Sequence, residues 1–167
     1  NENLYIKHPK VQVDLFKYSP TFALFFGFFS FLPDLVGLFF WNLLNGLVFY
    51  ALWQIKFPNN TNKLWVWAFV LIEFITNIQS SQSNGLMAGL MILGYVFLER
   101  KKMLLATLFI VFSVYIKLFG ILAFAIFLLY PDKWKAALYS LMWMVFLFLL
   151  PLIVVSPSDL IWQYQKQ

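Results

Sequence analysis

Two polar features interrupt a chain that is otherwise strongly apolar. Lys117 stands between two apolar runs, and residues 79–84 (QSSQSN) precede another. An ionisable residue inside apolar sequence is energetically costly, so it indicates a functional site. The ammonium of Lys117 suits contact with a phosphate, and the amides of Gln79, Gln82 and Asn84 can bind oxygen atoms beside it. The structural alternative is a lysine whose stem covers apolar surface while its amine reaches lipid headgroups.

Three neighbouring features also have a functional and a structural interpretation. Asn84 can contact a ligand, or it can cap a helix that begins at Gly85, where the missing side chain would also let a ligand approach. Glu73 can pair with a neighbouring helix or relay protons in a transporter. Gly85, Gly89 and Gly94 form a small-residue stripe, which is typical of close helix packing.

The composition places the chain in a lipid bilayer. Of the 167 residues, 62% are hydrophobic and 11% are charged, whereas a soluble domain carries roughly 25% charged residues. The net charge of +5 does not indicate nucleic-acid binding, because Lys and Arg are grouped in short loops, where they report membrane orientation. One His, few acids and no Cys exclude disulfides and a conventional metal cluster within the chain. No cofactor and no nucleic-acid partner is predicted.

The apolar runs predict an all-α, polytopic membrane helical bundle with short or broken helices. Residues 21–32 would form a helix only about 18 Å long, too short for a hydrocarbon core of about 30 Å, so they predict a juxtamembrane or re-entrant helix. Residues 1–17 are polar and mixed, and they predict a loop outside the hydrocarbon. Membrane spans are predicted at residues 35–55, 64–78, 85–98, 103–116, 118–130 and 136–155.

Loop charge predicts how the chain is threaded. A single helix from Met103 to Tyr130 would be about 42 Å long and would bury Lys117 near its middle, at a cost of roughly 2.5–3.5 kcal/mol or more. Residues 99–102 and 131–135 are both basic and should both be cytoplasmic, which requires two crossings and a break near Lys117. Loop 56–63 then also lies inside. The exterior receives residues 1–34, the hexad, the Lys117 turn and the tail after Val155.

Short motifs in this order resemble those of a known family. Residues 16–24 (FKYSPTFAL) resemble the aromatic–Tyr–Pro–Pro–apolar segment of polytopic glycosyltransferases of the C-type fold, with one Pro here in place of two. Residues 82–86 (QSNGL) are similar to the Gln-x-Asn-apolar motif of one branch of these glycosyltransferases, a branch long described as a domain of unknown function. That branch is the bacterial mannosyltransferase-like family that uses polyprenyl-phosphate sugars. Residues 98–102 (LERKK) and 116–119 (IKLF) are similar to its basic loop and its lysine turn. The resemblance extends from about Leu4 to Trp162.

The resemblance implies transfer of a sugar on the non-cytoplasmic face of the cell membrane. The donor would be a polyprenyl-phosphate sugar surrounded by membrane lipids, and the acceptor a glycan or glycolipid. Lys117 would neutralise the phosphate of the leaving group. Gln82 and Asn84 would position sugar or phosphate oxygens, with Tyr18 and Gln79 as further substrate-binding residues.

The general base implied by the resemblance is an Asp in the first exterior loop, upstream of the Tyr–Pro segment. It is expected before Asn1, because Asp14 lies too close to Tyr18 and Asp34 has no motif around it. The chain opens without Met or a signal-peptide pattern, so it is expected to be a piece of a longer protein or complex with further membrane helices. The competing function classes are a carrier for lipid-linked sugars and a non-catalytic membrane subunit.

Overall fold

Helices make up all the regular secondary structure in residues 18–166, which are the residues that this computed structural model describes. No strand occurs within that range, which confirms the predicted all-α class. The predicted polar loop 1–17, with Asp14 and with Phe16 and Lys17 of the first family-like segment, lies outside the described residues.

The helical elements are short, as the sequence predicted, and most begin or end within a few residues of the predicted bounds. One helix begins at Asn60, earlier than the predicted start at residue 64. Asn59 caps it, because the Asn59 Oδ1 accepts a hydrogen bond from Asn62 N–H at 2.7 Å. The stretch after Val155, predicted only as a polar tail, contains a further helix. The α-helices are α1 (Pro20–Gly27), α2 (Asp34–Asn45), α3 (Leu47–Trp53), α4 (Asn60–Gln79), α5 (Asn84–Glu99), α6 (Met103–Ile116), α7 (Lys133–Leu149) and α8 (Pro157–Lys166); the 3-10 segments are Phe28–Phe31, Leu118–Leu129 and Leu150–Ile153.

The chain breaks at Lys117, as predicted. Helix α6 ends at Ile116, Lys117 is extended (φ −144°, ψ 140°), and the segment Leu118–Leu129 follows as a 3-10 helix. A 3-10 helix rises about 2.0 Å per residue and an α-helix about 1.5 Å. The 12 residues of this segment therefore extend about 24 Å, close to the roughly 21 Å of the 14-residue α6. Gly120 packs so closely that an added Cβ would lie 2.5 Å from the carbonyl carbon of Ser113. The two segments therefore fold back on each other, with Lys117 at the turn.

The basic loops and the polar loops lie at opposite ends of α5, which is about 24 Å long. At the basic end, Arg100 Nη2 donates to Gln54 Oε1 at 2.6 Å, and Tyr130 OH donates to Glu99 Oε1. These two bonds hold together the chain segments that follow α3, α5 and Leu129. The structure thus collects at one end the three loops that their charge predicted to share a side.

Helix α5 is the central packing element. An added Cβ on Gly89 would lie 2.8 Å from Val48 N of α3, and one on Gly94 would lie 2.5 Å from Ile110 Cγ1 of α6. The glycine stripe therefore acts in helix packing. Two apolar clusters lie along the helix, one near the basic end (Leu98, Ala106, Ile110, Ala123, Phe127, Ala136) and one near the polar end (Phe22, Trp41, Leu86, Leu90, Ile116).

Much of the outer surface is apolar. Trp134, Phe31 and Leu129 are 90%, 85% and 84% exposed, and many other large apolar side chains are also exposed. Two continuous helical stretches are long and apolar enough to cross a bilayer: Asp34–Trp53, which comprises α2 and α3, and Lys133–Ile153, which comprises α7 and the 3-10 segment after it. Most of each lies outside the packed interior. Such a surface suits contact with lipid. The membrane spans predicted elsewhere, and the membrane placement of the helix at 20–31, stay predictions.

Candidate functional site

The turn after α4 closes on Ser81. Its N–H donates to Ile78 O at 3.1 Å, and Gln82 N–H donates to Asn77 O at 3.0 Å. This pair of bonds is a Schellman motif, whose central residue takes a left-handed conformation in which glycine is usual. Ser81 takes it here, with φ 48°. The turn leaves the side chains of Gln82 and Asn84 exposed at the start of α5.

Two buried asparagines from other helices satisfy the first N–H groups of α5. Asn77 Oδ1 accepts from the N–H groups of Asn84 at 3.0 Å and Gly85 at 3.3 Å, and Asn45 Oδ1 accepts from Leu86 N–H at 3.0 Å. The side chains of Asn45 and Asn77 are buried. Their bonds use the amide groups that an isolated helix N-terminus would offer to an anion. A phosphate near this site must therefore be held by side chains.

The asparagines also connect α2, α4 and the turn. Asn77 Nδ2 donates to Asn45 Oδ1 at 3.2 Å, and Asn45 Nδ2 donates to Trp41 O at 3.1 Å. The indole N–H of Trp41 donates to Ser81 O at 3.1 Å. Neither Asn45 nor Asn77 is among the site residues that the sequence predicted. Their position within apolar helices could have indicated a role, because a buried polar side chain is costly unless it has hydrogen-bond partners.

Two alternatives raised by the sequence are now decided. Asn84 does not cap α5: it is the first residue of the helix, and Ser83 occupies the cap position. Gly85 does not open space for a ligand, because an added Cβ would lie 2.8 Å from Asn45 O. The capping role belongs to Asn45 and Asn77, so the side chain of Asn84 is free of it.

A hydrogen-bonded row joins three of the predicted site residues. Lys117 Nζ donates to Asn84 Oδ1 at 2.6 Å, and Asn84 Nδ2 donates to Gln82 Oε1 at 2.6 Å. Lys117 is half-buried, while Asn84 and Gln82 are exposed. The row brings together residues that stand more than thirty positions apart in the chain, as the predicted threading required.

The charge of Lys117 has no carboxylate partner among the described residues: its side-chain partner is a neutral amide. Burial lowers the pKa of the Lys117 ammonium below the ordinary lysine value, and no acidic group within residues 18–166 counteracts that shift. An ammonium has three N–H donors, and Asn84 accepts from it. The remaining donors are available for anionic oxygen atoms.

Tyr18 closes another side of the row. Its hydroxyl accepts a hydrogen bond from Ser83 Oγ at 3.3 Å, and its ring centroid lies 5.9 Å from Lys117 Nζ, within cation–π range. The adjacent Ser19 caps α1 by accepting from Phe22 N–H at 3.1 Å, and its Oγ donates to Tyr115 O. The Tyr18–Ser19 segment is thereby attached to the last turn of α6, directly before the lysine.

Gln79 is the predicted site residue that the structure leaves outside this row. It is the last residue of α4, its side chain is exposed, and it has no hydrogen bond to the row in residues 18–166. Within the same part of the chain no cluster of three His, Cys, Asp or Glu residues could hold a metal ion. Asp34 lies at the start of α2 and has no hydrogen bond to Lys117, Asn84 or Gln82.

An apolar cavity of about 500 Å³ lies next to the row. It is lined entirely by apolar side chains, including Phe22, Trp41, Leu86 and Phe112. Leu86 follows Asn84 and Gly85 in α5, and the ring of Phe22 packs on Tyr18 with centroids 5.0 Å apart. The site therefore combines an ammonium, two amides and a tyrosine with an adjoining apolar space.

Most of the chain matches the model of a known family. Residues 16–164 match the model of glycosyltransferase family 87. The matched range contains Tyr18, Gln82, Asn84 and Lys117. No curated protein and no solved structure matches the chain at a significant level.

Proposed function

The chain belongs to glycosyltransferase family 87, and from that premise we propose that it transfers a mannose-like sugar from a polyprenyl-phosphate donor to a glycan or glycolipid acceptor. Membership indicates a glycosyltransferase. The donor, the sugar and the acceptor are the parts that we propose. The donor phosphate would lie at Lys117, with Asn84, Gln82 and Tyr18 around it.

The half-buried charge of Lys117 carries this proposal. Its contacts within the described residues are a neutral amide and an aromatic ring, so its charge is uncompensated. A cation removed from water without a carboxylate is costly, and an incoming phosphate would offset that cost. A phosphate-bearing substrate is therefore the ligand class that the electrostatics of the site favour.

The geometry also fits the chemistry of the leaving group. As the glycosidic bond breaks, negative charge develops on the polyprenyl phosphate, and a fixed ammonium stabilises it most where water is partly excluded. Asn84 holds the lysine by a 2.6 Å bond and is itself held by Gln82, so the ammonium is positioned before the donor arrives. The exposed amide groups can contact oxygen atoms of the sugar or phosphate.

The apolar cavity supports a lipid-linked donor over a soluble nucleotide sugar. Its lining offers no polar group to a water-soluble ligand, whereas an isoprenoid chain gains from contact with Phe22, Phe112 and their neighbours. The acceptor needs a general base, and the row around Lys117 contains no carboxylate. We assign that base to an acidic residue outside this row, upstream of Asn1, as the family resemblance implies.

We propose a multi-pass protein of the cell membrane with the Lys117 site on the non-cytoplasmic face. The three basic loops lie together at the opposite end of α5, and loops rich in Lys and Arg face the cytoplasm. Single cysteines placed at Gln82 and at Lys102 test this arrangement in intact cells. A membrane-impermeant maleimide should label the first and leave the second unlabelled until the membrane is opened; the reverse pattern would refute the orientation.

The activity is tested by incubating the full-length membrane protein with polyprenyl-phosphate sugars and glycan or glycolipid acceptors, and measuring release of polyprenyl phosphate. Lys117→Ala should lower the rate roughly 100-fold, as for the loss of one electrostatic donor, while Lys117→Arg keeps part of it. Lys56→Ala, at the basic end, is the matched control and should behave as wild type. Wild-type rates in Lys117→Ala would refute the role of the lysine.

Asn84→Asp separates charge from geometry. The substitution keeps the shape of the side chain but places a carboxylate against Lys117, so the lysine gains an internal partner that competes with the donor phosphate. Donor affinity should fall further in Asn84→Asp than in Asn84→Ala. Equal affinities would argue against a phosphate at this position. A wild-type protein that binds donors yet releases no polyprenyl phosphate would favour the carrier alternative.

A further inference from the structure

A second cavity, lined in part by charged side chains, lies at the basic end of the helices, far from Lys117. It has a volume of about 770 Å³ and lies between the turn that follows α5 and the turn that precedes α7. Lys101, Lys102 and Lys135 line it. Helix α6 begins at this cavity and ends before Lys117, so about 21 Å of helix separates the two sites. We propose that this cavity binds the phosphate of an anionic phospholipid.

The lining lysines are available for an anion. None of the three ammonium groups has a hydrogen bond or an ion pair with another described residue. Two carboxylates also line the cavity, and one of them, Glu99, accepts the hydroxyl hydrogen of Tyr130. Three ammonium groups therefore face Asp132 and a carboxylate that is already hydrogen-bonded. The positive charge is in excess, and an anion bound there would have several cationic partners.

The backbone at Lys101 adds a separate observation. Lys101 N–H donates to Leu98 O at 2.8 Å and Lys102 N–H donates to Phe97 O at 2.9 Å, which forms a Schellman motif with Lys101 at its left-handed position. Its φ of 58° favours glycine, and a side chain there costs roughly 1–2 kcal/mol. The chain bears this cost at a residue that lines the cavity. Residues held in such conformations are concentrated at functional sites.

Apolar neighbours favour a lipid over free phosphate. Leu104 and Leu105 line the same cavity and are 44% and 37% exposed. Both belong to the first turn of α6, beside Lys102, so an acyl chain could lie along them while its phosphate contacts the lysines. Basic loops attract the anionic lipids of the cytoplasmic leaflet, which is the side that their charge predicts. Headgroup and chain would then be bound together.

The test compares lipids and variants on the delipidated, purified full-length protein in detergent. Native mass spectrometry would measure binding of phosphatidylglycerol, phosphatidylcholine with the same acyl chains, and inorganic phosphate. The double variant Lys102→Gln/Lys135→Gln should bind phosphatidylglycerol roughly 30-fold more weakly, at about 1 kcal/mol for each lysine. Lys56→Gln/Lys63→Gln removes the same charge at the same end, from the segment between α3 and α4 and from the start of α4, and should retain wild-type binding.

A third variant guards against an effect on folding. Lys101→Gly removes one ammonium and relieves the left-handed backbone cost, so affinity should fall roughly 5-fold while the melting temperature does not fall. Wild-type affinity for phosphatidylglycerol in both Lys102→Gln/Lys135→Gln and Lys101→Gly would overturn the proposal. Equal binding of phosphatidylcholine by the wild type, or displacement of phosphatidylglycerol by inorganic phosphate alone, would also overturn it. None of these three results depends on whether Lys117 acts in sugar transfer.

Discussion

Replacing Asn77 by alanine tests whether the buried asparagines hold the site together. Asn77 Oδ1 accepts hydrogen bonds from the N–H groups of Asn84 and Gly85, and Asn77 Nδ2 donates to Asn45 Oδ1. Alanine removes all three bonds at once. The N–H of Gly85 would remain buried, with little access to water. The start of α5 would then have lost most of the support that positions Asn84.

The expected cost follows from these bonds. Each contributes about 0.5–1.5 kcal/mol net, and a buried donor left without a partner costs about 1–3 kcal/mol. The loss should therefore be about 3 kcal/mol. For a chain of this size, 1 kcal/mol shifts the melting temperature by about 2–4 °C. Asn77→Ala should melt about 6–12 °C below the wild type, and its transfer activity should fall because Asn84 no longer holds Lys117 in place.

Asn42→Ala provides the matched control. Asn42 also lies on an apolar helix, but its buried Oδ1 has no hydrogen-bond partner in the described part of the chain. Its removal should leave the melting temperature unchanged or raise it. Melting followed by tryptophan fluorescence in one detergent would compare the two variants. If Asn77→Ala melted with the wild type, or if Asn42→Ala were the more damaging change, the account of the capping network would be wrong.

Further outcomes follow from backbone contacts and from charge. Gly89→Ala would place a Cβ 2.8 Å from the main-chain nitrogen of Val48, and it should lower the free energy of unfolding by about 1–3 kcal/mol, measured by denaturation in detergent. Ser81→Gly relieves a left-handed conformation and should raise the melting temperature by a few degrees, equivalent to about 0.5–1 kcal/mol. Burial lowers the pKa of Lys117, so the folded state releases this proton before the unfolded state does. Stability relative to Lys117→Met should therefore rise with pH in the alkaline window between the folded and unfolded pKa values, while donor binding falls there; a flat difference across that window would contradict the assignment.

Helix class and approximate helix positions could be predicted because they depend on local features. Apolar runs that end at proline, asparagine or charged groups define helices without knowledge of their neighbours. The break at Lys117 could be predicted because the alternative helix is too long and buries a charge. Two features were missed: the early start of α4, which depends on Asn59, and helix α8, which lies in the stretch predicted only as a polar tail.

The site could be predicted only in part. Loop charge predicted that Lys117 shares a face with Asn84 and Gln82, and the hydrogen-bonded row brings those three side chains together. Gln79 stands outside that row although it begins the same polar stretch, because it is still the last residue of α4. The stretch looks uniform in sequence, but a helix end divides it.

The sequence by itself determined that this protein is an apolar helical bundle, that it breaks at Lys117, and that it resembles membrane glycosyltransferases. Those conclusions rest on composition, segment length and short motifs, which are properties of neighbouring residues. Only the tertiary structure decided which groups satisfy the start of α5. Asn45 and Asn77 reach it from two other helices, and this leaves the side chain of Asn84 to bind Lys117. The physical reason is that buried hydrogen-bonding groups need partners, and the partner is chosen by how the helices pack rather than by position in the chain.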